Sequence, residues 1–262
     1  MSGTALLIGA MLLAFPSAGE VLSDAELLDR AQAAFRQGVE ARSTPTKARA
    51  WFGKAAADYE ALRQRGYASA ALYRNAGHAF FLAGDVPHAV LAYRRGLRLA
   101  PGDRRLRADL AYVREQVAYP YAGTLDRLPR LPRVAPGLLL TLGVSLYGLG
   151  WLAVTRWRMV RRSWLVEMAV VSWVAAAVVT AILIIEGLDA RDDALHPLVV
   201  VARDGVVLRK GNGSSYPSQG DAPLNRGVEA RWLFTRGDWL QIALPGGQVG
   251  WVPRADVLLD RP

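Results

Sequence analysis

Two uncharged apolar runs around a short arginine-rich segment constrain this chain more than any other feature. Residues 137–155 contain no Asp, Glu, Lys or Arg. As a helix rising 1.5 Å per residue they cover about 28 Å, close to the hydrocarbon core of a bilayer. Residues 164–185 are again apolar, interrupted only by Glu167 near their start. Between them, at 156–163, stand Arg156, Arg158, Arg161 and Arg162 with no acid. A buried hairpin in a soluble core is the alternative, but paired runs flanking an arginine cluster read as two transmembrane helices. Basic short loops face the cytoplasm, so these four arginines set the topology: loop inside, both termini outside. Glu186, Asp189, Asp192 and Asp193 follow the second run and suit an external end, whereas Arg127, Arg130 and Arg133 before the first run pull the other way. Trp151, Trp157 and Trp164 fit interfacial anchors. Glu167 lies within about one turn of the loop and reads as interfacial. Ser172, Ala176 and Thr180 in the second run, with Gly143, Gly148 and Gly150 in the first, predict closely packed helices.

A third apolar stretch supplies the tie-breaker for orientation. Residues 5–15 are apolar and are followed by Pro16, Ser17, Ala18 and Gly19, small residues suited to signal-peptidase cleavage after Gly19. Residues 1–19 therefore read as a secretory signal peptide, with an uncleaved anchor as the alternative because no Lys or Arg precedes the run. The 262-residue chain carries 32 Lys+Arg against 23 Asp+Glu, a net +9, and has no cysteine. Disulfides, thiolate metal sites and cysteine nucleophiles are excluded. The three histidines, His78, His88 and His196, are far apart in sequence, so no metal or catalytic residues are assigned and no cofactor is expected. Nucleic acid is not an expected partner of an external chain without a recognised nucleic-acid fold.

Residues 20–118 are helical in pattern, rich in Ala, Leu, Arg and Glu. Ser23 and Asp24 open a helix, and breaks fall at 43–46, Gly66, Gly84-Asp85 and Pro101 to Asp103. Within residues 70–103, Gly77, Phe80, Gly84, Ala89, Tyr93, Gly96 and Pro101 occupy the positions of a 34-residue helical hairpin. This window resembles a tetratricopeptide repeat. Gly38, Ala48, Phe52 and Ala55 resemble a degenerate preceding copy, and 104–117 a closing helix with Leu106, Leu110 and Val113 on one face. The resemblance implies a groove lined by Arg74, Asn75, His78 and Phe81, able to hold a partner's carboxylate or backbone; an ordinary solvated helix face is the alternative. Residues 119–136, with four prolines and three arginines, form a stiff linker.

From residue 196 the pattern turns to short strands at 198–202, 206–209, 228–234, 239–244 and 249–252, with Pro245, Gly246 and Gly247 as a hairpin turn. Val207 to Gly213, Leu224 to Gly227, Gly237 to Ile242 and Gly250 to Pro253 resemble the bacterial SH3-like family, which implies a small all-β barrel over 196–262 that binds peptides or cell-wall material. Trp239 and Trp251 either complete the barrel core or join Tyr216 and Trp232 in an aromatic ligand surface; Tyr216 is the better exposed contact.

The expected architecture is thus a multi-domain membrane protein: an all-α tetratricopeptide-like region, a two-helix transmembrane hairpin and an SH3-like barrel. This order is similar to that of BatE-like proteins of the aerotolerance operon. The resemblance implies a non-enzymatic envelope scaffold in the bacterial inner membrane, both soluble parts facing the periplasm. Its implied partners are von Willebrand factor A domain proteins and a MoxR-type ATPase. A cell-wall sensor or tether, gripping peptidoglycan through the SH3-like part, is the alternative.

Overall fold

A computed structural model describes residues 22–120, 125, 136–220 and 222–260. The expected signal segment and most of the Pro/Arg linker lie outside the described residues. Five helices come first: α1 (Asp24–Glu40), α2 (Pro45–Gln64), α3 (Ala70–Ala83), α4 (Val86–Leu99) and α5 (Arg104–Glu115). Their ends are written locally. Ser23 caps α1, accepting from the Glu26 backbone N–H while the Glu26 carboxylate accepts from the Ser23 N–H at 2.8 Å. Ser69, Asp85 and Asp103 cap α3, α4 and α5 through their side-chain oxygens. Gly84 ends α3 with φ +91°, a left-handed conformation that glycine adopts without strain.

The helices pack as two similar hairpins. A Cβ on Gly77 would lie 2.5 Å from the Tyr93 ring, and one on Gly38 would lie 2.7 Å from the Phe52 ring. In each hairpin an aromatic ring of the second helix fills the space left by a glycine of the first. Leu27, Ala31, Ala55, Tyr59, Leu62, Ala76 and Ala79 make the first core. Small alanines let the axes approach while Tyr59 and the leucines supply apolar area.

Two long helices follow, α6 (Pro136–Val160) and α7 (Trp164–Leu195), and both are long and apolar enough to cross a membrane. Both outrun the sequence-based spans. Arg156 and Arg158 are still helical, and the connecting turn shrinks to 161–163, where Arg161 takes φ +56°. The buried face of α7 is Leu165, Ala169, Ser172, Ala176 and Val179, a 4-3-4-3 spacing. The every-fourth-residue expectation fails after Ala176 because a seam repeating each 3.5 residues next reaches Val179. Thr180 turns outward and donates its hydroxyl to the Ala176 carbonyl at 2.9 Å. On α6, Gly150 receives the Trp173 indole, and Gly143 lies against Val179, whereas Gly148 has no neighbour at its Cβ position. Gly150→Leu is therefore expected to pry the two helices apart, while Gly148→Leu leaves them paired. Crosslinking yield between cysteines placed on the two helices reads the difference.

The C-terminal part is a five-stranded antiparallel sheet: β1 (Leu198–Val201), β2 (Glu229–Arg236), β3 (Trp239–Ala243), β4 (Val249–Pro253) and β5 (Val257–Leu259). Its order is β4-β3-β2-β1-β5. The expected closed barrel is not formed: the sheet is open, and β4 and β5 are its edges. The expected strand at 206–209 reduces to isolated bridges, Val206 to Leu224 and Arg209 to Ser218 and Trp251. Its core is Val199, Val201, Leu208, Leu224, Leu240, Ile242 and Val252, and it includes Val117 from the tail of α5. Val86 and Tyr119 pack against the same core. The helical part thus covers the open side of the sheet, and Trp239 and Trp251 are not needed to fill it.

Candidate functional site

The strongest electrostatic feature joins the helical part to the sheet. Glu229, the first residue of β2, and Asp260, just past β5, are each only 1% exposed. Arg94 of α4 donates its Nε to Glu229 Oε1 at 2.6 Å, and Arg114 of α5 donates its Nη2 to Oε2 at 2.6 Å. Arg95 donates its Nε to Asp260 Oδ1 at 2.9 Å, and Arg98 approaches Oδ2 at 2.7 Å. Arg95 also stands 3.9 Å from Glu60 of α2, extending the network into the first hairpin. A carboxylate at such depth is tolerated only when it is paired and its lone pairs are engaged. Beside the clamp, burial pushes the Tyr119 hydroxyl pKa well above its usual value, and the Glu229 charge adds to this.

Apolar contacts run parallel to the clamp. Val200, Leu198 and Leu258 join Val90, Leu91, Leu106, Leu110 and Val113 of α4 and α5 in a shared cluster. The Asn225 side chain donates to the Ala118 carbonyl at 3.1 Å. A Cβ on Gly227 would meet Val117 at 2.7 Å and Val86 at 2.9 Å. An open cleft of about 380 Å³ follows the seam, lined by Asp85, His88, Arg226 and Leu258 among others.

The expected groove residues are partly committed elsewhere. Arg74 donates its Nε to Asp109 of α5 at 2.6 Å, and His78 Nε2 lies 3.1 Å from the same carboxylate. Phe81 packs edge-on against Tyr112 of α5, with ring centroids 5.6 Å apart. Asn75 is exposed. The closing helix therefore supplies the carboxylate that a partner was expected to bring. A partner's carboxylate would have to compete with Asp109.

The four expected aromatic contacts sit in different environments. Trp232 packs against the sheet core. Trp239 and Trp251 are half-buried on the outer face, since Leu240, Ile242 and Val252 take the inward positions of β3 and β4. Tyr216 is exposed and its ring lies over Gly211. Phe234, which the sequence did not single out, stands 56% exposed and edge-on to Trp251, a bulge after Trp232 having turned it outward. Arg156, Arg158, Arg161 and Arg162 are all exposed, and the Arg161 guanidinium sits 5.5 Å from the centroid of the Trp157 ring.

Among the described residues outside the long helices, three carboxyls are held below their ordinary range. Hydrogen bonds from Tyr67 and then Arg65 lower Asp24, and the Ser23 hydroxyl and backbone N–H lower Glu26. Burial opposes ionisation of Asp85, but His88, whose Nδ1 lies 2.7 Å away, outweighs it and holds the carboxyl low. A depressed folded pKa gives stability that is present above the unfolded value of about 4 and lost as pH falls through the folded value. The triple variant Asp24→Asn, Glu26→Gln, Asp85→Asn is expected to be less stable at neutral pH and to show a shallower loss below pH 4. Thermal unfolding against pH measures both. Compared with models of known protein families and with curated sequences, the chain matches none.

Proposed function

We propose that this chain is a non-enzymatic envelope scaffold, anchored by the α6–α7 hairpin in a bacterial inner membrane with its helical and β parts in the periplasm. In this reading α1–α5 are tetratricopeptide-like and the sheet is an SH3-like unit that a helical lid completes. The protein holds partners of a BatE-like system, von Willebrand factor A domain proteins and a MoxR-type ATPase.

The observation that carries the reading is the buried clamp. Chain preceding α6 and chain following α7 form one body, so a hairpin crossing a bilayer leaves that body on one side and the 161–163 turn on the other. Four exposed arginines at and beside that turn favour the cytoplasm for it. The paired Gly77–Tyr93 and Gly38–Phe52 contacts support the repeat reading. A rigid one-sided body on a two-helix anchor suits a protein that presents surfaces, and the exposed remainder of the α3–α5 face is where a partner would dock.

The test is recovery of tagged full-length chain from gently solubilised membranes. Co-purification of stoichiometric membrane partners, lost on Asn75→Arg with Tyr112→Ala, is the expected result. Recovery of bare monomer overturns the scaffold reading. A reporter fused after Val160 that is active only in the cytoplasm, with one at the C-terminus active only outside, tests the orientation.

A further inference from the structure

The direction of β1 identifies which end of the body faces the membrane. β1 begins at Leu198, whose carbonyl accepts from the Asp260 N–H at 3.0 Å, level with Arg95 and Arg98 near the end of α4. It finishes at Val201, whose carbonyl accepts from Gly227, and Gly227 touches Val86 at the start of α4. β1 is therefore antiparallel to α4, and α7 delivers the chain at the α4–α5 end. Arg231 of β2 pairs with Leu198, and β2 then runs on past the start of β1 to Arg236. The β2–β3 turn and the α4–α5 turn thus project from the same end, the one that α7 enters.

Distances put this end close to the bilayer. α7 continues past Ile185 to Leu195, a helical rod of about 15 Å beyond the apolar run. The Trp232 N–H donates to the Pro197 carbonyl, and the strand from there to Arg236 reaches back about 13 Å. The headgroup layer on each side is about 5–8 Å thick, so a hairpin tip running back along α7 would fall within it. In the same orientation the α4–α5 turn would lie within about one Debye length, 8–10 Å, of the headgroups.

The chemistry of this end fits an anionic lipid surface. Phe234 and Leu99 are 56% and 52% exposed. Arg104, Arg105, Arg236 and Arg254 are exposed, and no ion pair to them is found among the described residues. The Arg254 N–H donates to the Asp238 carbonyl, which fixes Arg254 beside the hairpin tip. The acids of this end offset its charge only in part: Asp103 accepts from the backbone of α5, Asp24 pairs with Arg65 and Asp192 and Asp193 face Arg231, while Asp238 at the hairpin tip is exposed. We propose that this end of the body seats on anionic phospholipid headgroups of the leaflet from which α7 emerges, with the four arginines against the phosphates and Phe234 at the interface. This rests on the membrane-anchored reading and adds a second, peripheral contact that fixes the tilt of the body over the bilayer.

The absence of native cysteine permits single labelling sites. Asp238→Cys reports the hairpin tip, and Gln116→Cys, at the far end of α5, reports the opposite end. Each full-length variant carries a nitroxide and is placed in nanodiscs of phosphatidylcholine alone or with phosphatidylglycerol. Collision with a water-soluble nickel chelate is read. At position 238 it is expected to fall by about threefold when phosphatidylglycerol is present, and to recover in 1 M salt, where the Debye length is about 3 Å. Arg104→Glu, Arg105→Glu, Arg236→Glu and Arg254→Glu together are expected to abolish the fall without changing the unfolding temperature. Position 116 stays equally accessible throughout. A chain that co-elutes with discs yet keeps position 238 in water overturns this proposal alone. A chain that does not co-elute overturns the membrane anchor and this proposal with it.

Discussion

Glu229→Ala is expected to cost about 3–5 kcal/mol of stability, among the largest effects of any single substitution in this molecule. The reason is the pair of cations left behind. Arg94 and Arg114 both point their guanidinium groups at this carboxylate from α4 and α5, and both are mostly buried. Removing the acid leaves two positive charges facing each other in a medium that solvates them poorly. For a body of this size the loss corresponds to a fall in unfolding temperature of about 10 °C or more. Asp260→Ala removes a similar carboxylate, but Arg98 is half exposed and relaxes into water, so the expected fall is smaller. A third variant separates lost pairing from lost volume. Glu229→Leu combined with Arg94→Leu and Arg114→Leu replaces the whole cluster by apolar groups, and most of the stability is expected to return. Equal damage from Glu229→Ala and the triple leucine variant, read by thermal unfolding, would show that the site needs its shape and not its charge balance.

The clamp also marks the limit of what the sequence disclosed. Helix ends at Ser23, Gly84, Asp85 and Asp103 were readable because caps act over three residues and need no distant partner. The two long apolar helices were readable for the same reason, since composition alone sets them. Glu229 was not. An acid in the run Val228, Glu229, Ala230, Arg231 looks like an outward strand residue until the arginines that meet it are known. Arg94, Arg95 and Arg98 in turn look like a solvated helix face. Each sign is explained only by the other, across more than 130 residues. The core reading of Trp239 and Trp251 failed by a related route. A barrel that closes on itself over so few residues needs large side chains inside, so Trp239 and Trp251 were natural core candidates. The sheet does not close, and Val117, Val86 and Tyr119 fill the gap instead. The groove was half readable: Arg74 and His78 do line a face, but Asp109 already engages them.

Residues 196–262 expressed alone are consequently expected not to reach a stable fold. A unit of about 65 residues is marginal even when its core is complete. Here it loses Val117 from the core centre and Val86 and Tyr119 from its rim, each apolar side chain worth about 1.5–3 kcal/mol when fully buried. Glu229 and Asp260 would lose all four arginines of the clamp, although separation also lets water reach them. Against a typical total of about 5–15 kcal/mol, the apolar loss alone is enough to tip the balance. The helical part is expected to behave differently. Residues 22–120 uncover the α4–α5 face that met Leu198, Val200 and Leu258 but keep their first core intact, and their freed arginines become surface charges, which costs little. The two fragments should therefore give contrasting amide spectra: dispersed for 22–120, collapsed for 196–262. Mixing them should restore dispersion to the second through Val117 and the clamp, and Arg94→Glu with Arg114→Glu in the first should prevent it. A cooperative thermal transition from 196–262 alone, at the temperature of the intact chain, would mean that the helical lid adds nothing the sheet does not already hold.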